Sequence, residues 1–177
     1  MIAINSNHMH KLLPLLFALF FSTGSLFAQP GGTITSADKL PSVFVLGQHE
    51  SAYEKLILNH QTQLLNVADN DMERAFRAWI EMVVAMEKYA EKVDFDINGL
   101  RFWIHVFWKK DGSVDHIAFH LRPNSRAVDN QLLSGFLRSF SKQYTLPMTS
   151  DVPFSHYTSV AFPSSYMLED TTQEDKN

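Results

Sequence analysis

The clearest pattern in the chain is an alternation of apolar and polar residues over positions 101–122. Two alternating runs flank Asp111-Gly112, a dipeptide typical of a two-residue β-hairpin turn because both turn positions favour positive φ. Such a turn pairs Lys110 with Ser113, so that the numbers of paired residues sum to 223. In that register one face of the hairpin is apolar throughout, which favours its burial. Its members are Phe102, Ile104, Val106, Trp108, Ile117, Phe119 and Leu121.

Helical spacing of apolar residues occurs in three other stretches. The strongest spans residues 72–92, with Asn70 as the predicted N-cap and Glu73 at the capping-box position. A weaker pattern spans residues 50–67, and a third follows Asp129, a predicted N-cap. We expect the third helix to cover the apolar face of the hairpin, since its stripe comprises Leu132, Leu133, Phe136, Leu137 and Phe140.

The remaining segments complete the predicted architecture. Residues 42–46 are a short apolar run, either a strand or a turn of buried chain, and residues 156–162 alternate weakly and predict a third strand. The fold class is therefore α+β: a helical N-terminal region over 42–98, followed by a β-β-α-β domain over 99–163. We expect this domain to be a three-stranded antiparallel sheet with a helix on one face. Residues 29–41 predict a disordered linker, and residues 164–177 a disordered acidic tail.

The first 28 residues have the order of zones found in a secretory signal peptide. A polar start that contains Lys11 precedes a ten-residue apolar block at 12–21 and a small-residue stretch that ends at Ala28. The block is about half the length that a membrane-spanning helix needs. We therefore predict cleavage after Ala28, a periplasmic or secreted location and no stable membrane span after cleavage. The alternatives are an uncleaved anchor or a core helix.

Charge and cysteine content narrow the function classes. Loss of residues 1–28 would remove one lysine from 15 basic and 19 acidic residues, which leaves a net charge of −5. This mildly acidic balance argues against a nucleic-acid partner. The chain has no cysteine, so it has neither a disulfide nor the N-terminal cysteine of a lipoprotein.

No enzyme motif was found: the chain has no Gly-rich phosphate loop, no HExxH and no GxSxG. A non-enzymatic protein without a cofactor is therefore the expectation, and we assign no catalytic residue.

Three histidines share the face of the hairpin opposite the apolar one. His105, His116 and His120 lie there with Trp103 and Phe107, at a spacing close enough to ligate zinc or copper. No fourth ligand is obvious, because the register places Asp115 on the apolar face. We therefore assign no metal ligand, and expect this face to pack against helix 72–92 or to form a partner surface.

A three-stranded sheet has two open edges, and each presents unpaired N–H and C=O groups. Such an edge can take up an extended peptide as an additional strand, a binding function that needs no catalytic residue.

The order of the elements between residues 99 and 162 resembles the C-terminal domain of TonB. The resemblance is carried by Gly99 before the strand FWIHVFW, by the turn KKDGSVDHIAF, by the helix after LRPNSRAVDN, and by Tyr144 followed by Pro147 before the last strand. It implies a periplasmic protein-binding module whose third strand accepts an extended segment of an outer-membrane receptor or another envelope protein. The partner-binding residues would be Tyr157, Thr158, Ser159, Val160, Ala161 and Phe162. The predicted signal cleavage and the short predicted linker differ from TonB, which has a membrane anchor and a long Pro-rich spacer.

A second hypothesis is a small periplasmic or secreted ligand-binding protein or enzyme. Its pocket would lie between helix 72–92 and the sheet, lined by Trp79, Trp103 and Phe107.

Overall fold

A computed structural model describes residues 40–164 of the chain, which lie within one compact unit. The predicted signal peptide, most of the predicted linker and the tail from residue 165 lie outside the described residues. Within residues 40–164, no helix is both long enough and apolar enough to cross a membrane. The elements are β1 (Val43–Val45), α1 (Glu50–Asn59), β2 (Thr62–Gln63), α2 (Leu64–Val67), α3 (Met72–Lys92), β3 (Arg101–Trp108), β4 (Val114–Leu121), α4 (Asn130–Ser141) and β5 (Phe154–Ala161).

The strands form one mixed sheet in the order β1-β4-β3-β5-β2. The fold is therefore α+β, as predicted, but the expected three-stranded antiparallel sheet is wrong. The three predicted strands form its centre, where β3 pairs antiparallel with both β4 and β5. The short strands β1 and β2 extend this centre by parallel pairing with β4 and β5. Both come from residues 42–98. For β1 the sequence left open a strand or a turn of buried chain, and the structure has the strand, whereas β2 interrupts the predicted helix over 50–67.

The hairpin keeps the predicted register over most of its length but not at its turn. Phe102 to Phe107 pair with Leu121 to His116 as predicted. The turn has three residues rather than two, because the Lys109 N–H donates to Ser113 O at 2.9 Å and the Gly112 N–H donates to Lys109 O at 3.0 Å. Only Gly112 in this turn has positive φ, at 80°.

A β-bulge next to this turn restores the predicted register. Trp108 pairs with Val114, whereas Phe107 pairs with His116, so Asp115 is the additional residue on β4. The prediction that Asp115 lies on the apolar face is therefore wrong. Its carboxylate lies on the histidine face instead, 3.0 Å from His116 Nδ1 and 3.7 Å from His60 Nε2.

The N-terminal helical region is more broken than its pattern predicts. The predicted helix over 50–67 is two helices, α1 and α2, separated by β2. Asp71 rather than Asn70 caps α3, since its carboxylate accepts hydrogen bonds from the amides of Glu73 and Arg74. The Glu73 side chain pairs with Arg77 at 2.8 Å instead of closing a capping box.

The main core lies on the face of the sheet that α3 and α4 cover. The predicted cap of α4 is confirmed, because the Asp129 carboxylate accepts from Gln131 N–H at 2.7 Å and from Leu132 N–H at 3.1 Å. Most of the apolar stripe of α4 then packs on the predicted sheet face, but Leu132, which was predicted to belong to it, is exposed. Side chains buried in this core include Met82 and Met86 of α3, Phe102, Ile104 and Phe119 of the sheet, and Leu133 and Leu137 of α4.

The opposite face is covered in part by α1, not by α3 as expected. Leu56 of α1 packs with Phe44, Phe107 and Ala118 in a second, smaller apolar cluster. Helix α3 is unavailable to this face, since its apolar side already packs in the main core. The half of the face nearest Trp103 and Tyr157 is left open, with these side chains 39 % and 48 % exposed.

Candidate functional site: the outer edge of the last strand

The backbone groups of β5 alternate between pointing toward β3 and pointing away from it. In an antiparallel pair, hydrogen-bonded and non-hydrogen-bonded residue pairs alternate along the ladder. The Phe162 N–H donates to Leu100 O at 2.9 Å just beyond β5, which fixes the phase of this alternation. The even-numbered residues of β5 therefore direct their backbone groups to β3, and the odd-numbered ones direct theirs outward.

Strand β2 occupies only the beginning of this outer edge. It pairs with Phe154 and Ser155 and goes no further. We define the open edge as Tyr157, Ser159 and Ala161, whose outward N–H and C=O groups have no strand beside them within residues 40–164.

The six predicted partner-binding residues therefore divide into three groups. Tyr157, Ser159 and Ala161 form the open edge. Thr158 and Val160 bond inward to β3. Phe162 lies beyond the strand with both backbone groups in use, since it donates to Leu100 O and accepts from the Gly99 N–H.

A groove of about 530 Å³ lies between this edge and α3. We call it the edge groove. Its helix side is formed by Phe76, Trp79 and Val83, and its strand side by residues 156 and 158–161. Phe76 is 52 % exposed. The Trp79 ring packs on His156 with 4.9 Å between ring centroids, and burial lowers the pKa of His156.

Past the end of β5 the edge groove adjoins a second cavity of about 700 Å³, which we call the acidic cavity. Pro163 and Ser164 line both. Ser164 is held in place by the Glu87 carboxylate, which accepts from its backbone N–H and, at 2.5 Å, from its hydroxyl. The other acidic side chains of this cavity are Glu91, Asp94 and Asp96.

The three predicted histidines do share one face, but they are not equivalent. His105 is buried and its Nδ1 lies 2.9 Å from the Tyr53 hydroxyl, whereas His120 is exposed. Burial, followed by the neighbouring His156 and His60, lowers the pKa of His105 to about 4. Burial also raises the pKa of Tyr53. Within the part of the chain that the structure describes, no three His, Cys, Asp or Glu side chains are placed to hold a metal ion.

His60 is a member of this cluster that the sequence pattern did not single out. Its Nδ1–H donates to Leu56 O at 2.9 Å and its ring packs against Phe107. The nearby Ser155 hydroxyl donates to the His60 carbonyl at 3.0 Å rather than to the imidazole. This arrangement fixes the start of β5 against the end of α1, and gives no activated nucleophile.

The expected ligand pocket lined by Trp79, Trp103 and Phe107 is not formed. Trp79 lies on the α3 side of the sheet and contacts His156. Trp103 and Phe107 point to the opposite face, where Trp103 stacks on Tyr157 at 5.6 Å and the Arg122 guanidinium lies 5.9 Å from its ring. The alternation of side chains along β3 places them on the face that α3 does not reach.

Comparison of the chain with protein-family models, with curated proteins and with solved structures finds no match.

Proposed function

We propose that the protein is an exported, non-enzymatic binding module that takes up an extended segment of a partner protein along the open edge of β5. The observation that carries this proposal is the pairing of β5, which leaves the outward groups of Tyr157, Ser159 and Ala161 beside a groove. A peptide strand placed there would hydrogen-bond to these groups and set alternate side chains against α3.

The resemblance to the C-terminal domain of TonB supports the same function. It implies strand addition at the third strand of the β-β-α-β unit, which is β5 in this chain. In the structure β3 lies between β4 and β5, and α4 packs in the main core on one face of this sheet. The predicted signal peptide supports a periplasmic or secreted location, in which the partner would be an outer-membrane receptor or another envelope protein.

A proline scan of β5 tests the proposal, since proline removes one N–H at a chosen position. Ala161→Pro and Ser159→Pro remove outward donors, so we expect the fold to survive while capture of partner proteins from envelope extracts is lost. Val160→Pro is the matched control, because it removes an inward donor and should destabilise the sheet. Partner capture that is unchanged in a folded Ala161→Pro protein would contradict the proposal.

A further inference from the structure

We infer that the segment taken up at the open edge carries lysine or arginine next to an alternating apolar stretch. This inference rests on the proposed function and adds the chemical class of the partner. It follows from the position of the acidic cavity next to the edge groove and from the charge of the acidic cavity.

The two cavities lie next to each other along the direction of β5, because Pro163 and Ser164 line both. Five residues of added strand, opposite Tyr157 to Ala161, span about 17 Å at 3.4 Å per residue. Past Ala161, the protein's own chain continues to Pro163 and Ser164, which line both cavities. A peptide seated along β5 therefore has its next few residues beside the acidic cavity.

The acidic cavity is strongly negative. Glu87, Glu91, Asp94 and Asp96 line it with one basic residue, Lys88. It also lies at the C-terminal end of α3, where the helix dipole adds partial negative charge.

Two carboxylates of the acidic cavity have hydrogen-bond or ion-pair partners within the part of the chain that the structure describes, and two do not. Glu87 accepts hydrogen bonds from Ser164, and Asp96 lies 3.4 Å from the Arg126 guanidinium. Glu91 and Asp94 are exposed and have no side-chain hydrogen bond or ion pair among residues 40–164. They are therefore available to a cation brought by the partner.

The edge groove differs from the acidic cavity in having an apolar helix side. This determines which residues of the partner segment should be apolar. Its helix side presents Phe76, Trp79 and Val83, so the residues of an added strand that face α3 should be apolar. The intervening residues face the side of Tyr157 and Ser159 and can be polar. We therefore expect the partner segment to have apolar residues at alternate positions and basic residues at the end that reaches the acidic cavity.

Fluorescence anisotropy with designed peptides tests this inference. The probe is a labelled Lys-Lys-Val-Thr-Val-Thr-Val-Lys-Lys peptide, with lysines at both ends so that either strand direction is allowed. Control peptides replace the four lysines with serine or with glutamate. We expect affinity to rank Lys over Ser over Glu, and the Lys preference to shrink from about 50 to about 500 mM NaCl.

Double variants identify the charges that are responsible for the preference for the lysine peptide. Glu91→Gln with Asp94→Asn should weaken binding of the lysine peptide about two- to fivefold per charge, the range for exposed pairs, and leave the serine peptide unchanged. Asparagine is suitable at position 94 because φ there is 53°, and asparagine tolerates this conformation. Glu50→Gln with Glu54→Gln, on α1, removes the same charge elsewhere and should change neither affinity.

The outcomes separate the two proposals. Equal binding of the lysine and serine peptides, with no effect of the Glu91 and Asp94 changes, would overturn the basic motif and leave strand addition standing. Absence of binding by every peptide, or binding that Ala161→Pro does not reduce, would overturn strand addition itself.

Discussion

Buried His105 should make the protein lose stability in mild acid. Its imidazole is 7 % exposed, and its surroundings lower its pKa to about 4, against 6.5 when unperturbed. Because the folded value is below the unfolded one, the unfolded chain binds more protons between these limits. The free energy of unfolding is therefore at its full value when the pH is above the pKa of His105 in the unfolded chain, and it falls as the pH decreases.

The size of this loss of unfolding free energy follows from the pKa values of His105 in the folded and unfolded protein. Each unit of pKa difference corresponds to about 1.4 kcal/mol, so His105 accounts for at most about 3.5 kcal/mol. Most of this develops below pH 6.5, and the loss between pH 7 and pH 5 is about 2 kcal/mol. The nearby titratable groups are Tyr53 of α1, His60, Tyr157 and His156 of β5.

Urea unfolding at pH 7 and pH 5, followed by circular dichroism, measures this loss. The comparison is with the double variant His105→Phe, Tyr53→Phe, which removes the titrating ring without leaving the phenol unpaired. Its loss of unfolding free energy should be about 2 kcal/mol smaller than that of the unchanged protein. His120→Gln, an exposed histidine on β4, is the control and should keep the full loss. If the double variant loses as much stability as the unchanged protein, the buried neutral state of His105 is wrong.

Changes at three positions test the turn, the interior of α4 and the N-cap of α4 by urea unfolding. Gly112→Ala should destabilise by more than about 2 kcal/mol, since φ is 80° and the new Cβ would lie 2.3 Å from Leu146 O; an unchanged midpoint would refute the turn. Gly135→Ala is the matched control within α4, where no atom lies within 4 Å, and should stabilise by about 0.5 to 1 kcal/mol. Asp129→Ala should cost about 1 kcal/mol, whereas Asp129→Asn should cost much less; equal losses would show that capping is not the cause.

The elements that could be predicted from the sequence are those whose apolar spacing repeats over enough residues to identify a helix or a strand. The hairpin, α3 and α4 each repeat their apolar spacing several times, and the observed core uses most of those residues, although Leu132 of α4 is exposed. The last strand was predicted from a weaker alternation. The alternation over 101–122 also fixed which side chains share a face. Asp115 and Val114 were misplaced, because the bulge at Asp115 puts Val114 opposite Trp108, where it packs against the main core.

What could not be predicted depends on contacts between distant parts of the chain. Strand β2 has two residues and no pattern of its own, so it is defined by its pairing with Phe154 and Ser155. The position of α1 depends on Leu56 meeting Phe107, and nothing local selects that face over the other. The open edge was predicted in outline, but its division into inward and outward residues needed the observed register.

Amide hydrogen exchange by NMR at Ser159 and Ala161 tests the central claim most directly. In the free protein these outward N–H groups should exchange fast, while those of Thr158 and Val160, which bond to β3, should be protected. Saturation with the lysine-flanked peptide should slow exchange at Ser159 and Ala161 and leave the inward amides unchanged. The account is contradicted if the peptide binds and both outward amides still exchange at their free rates.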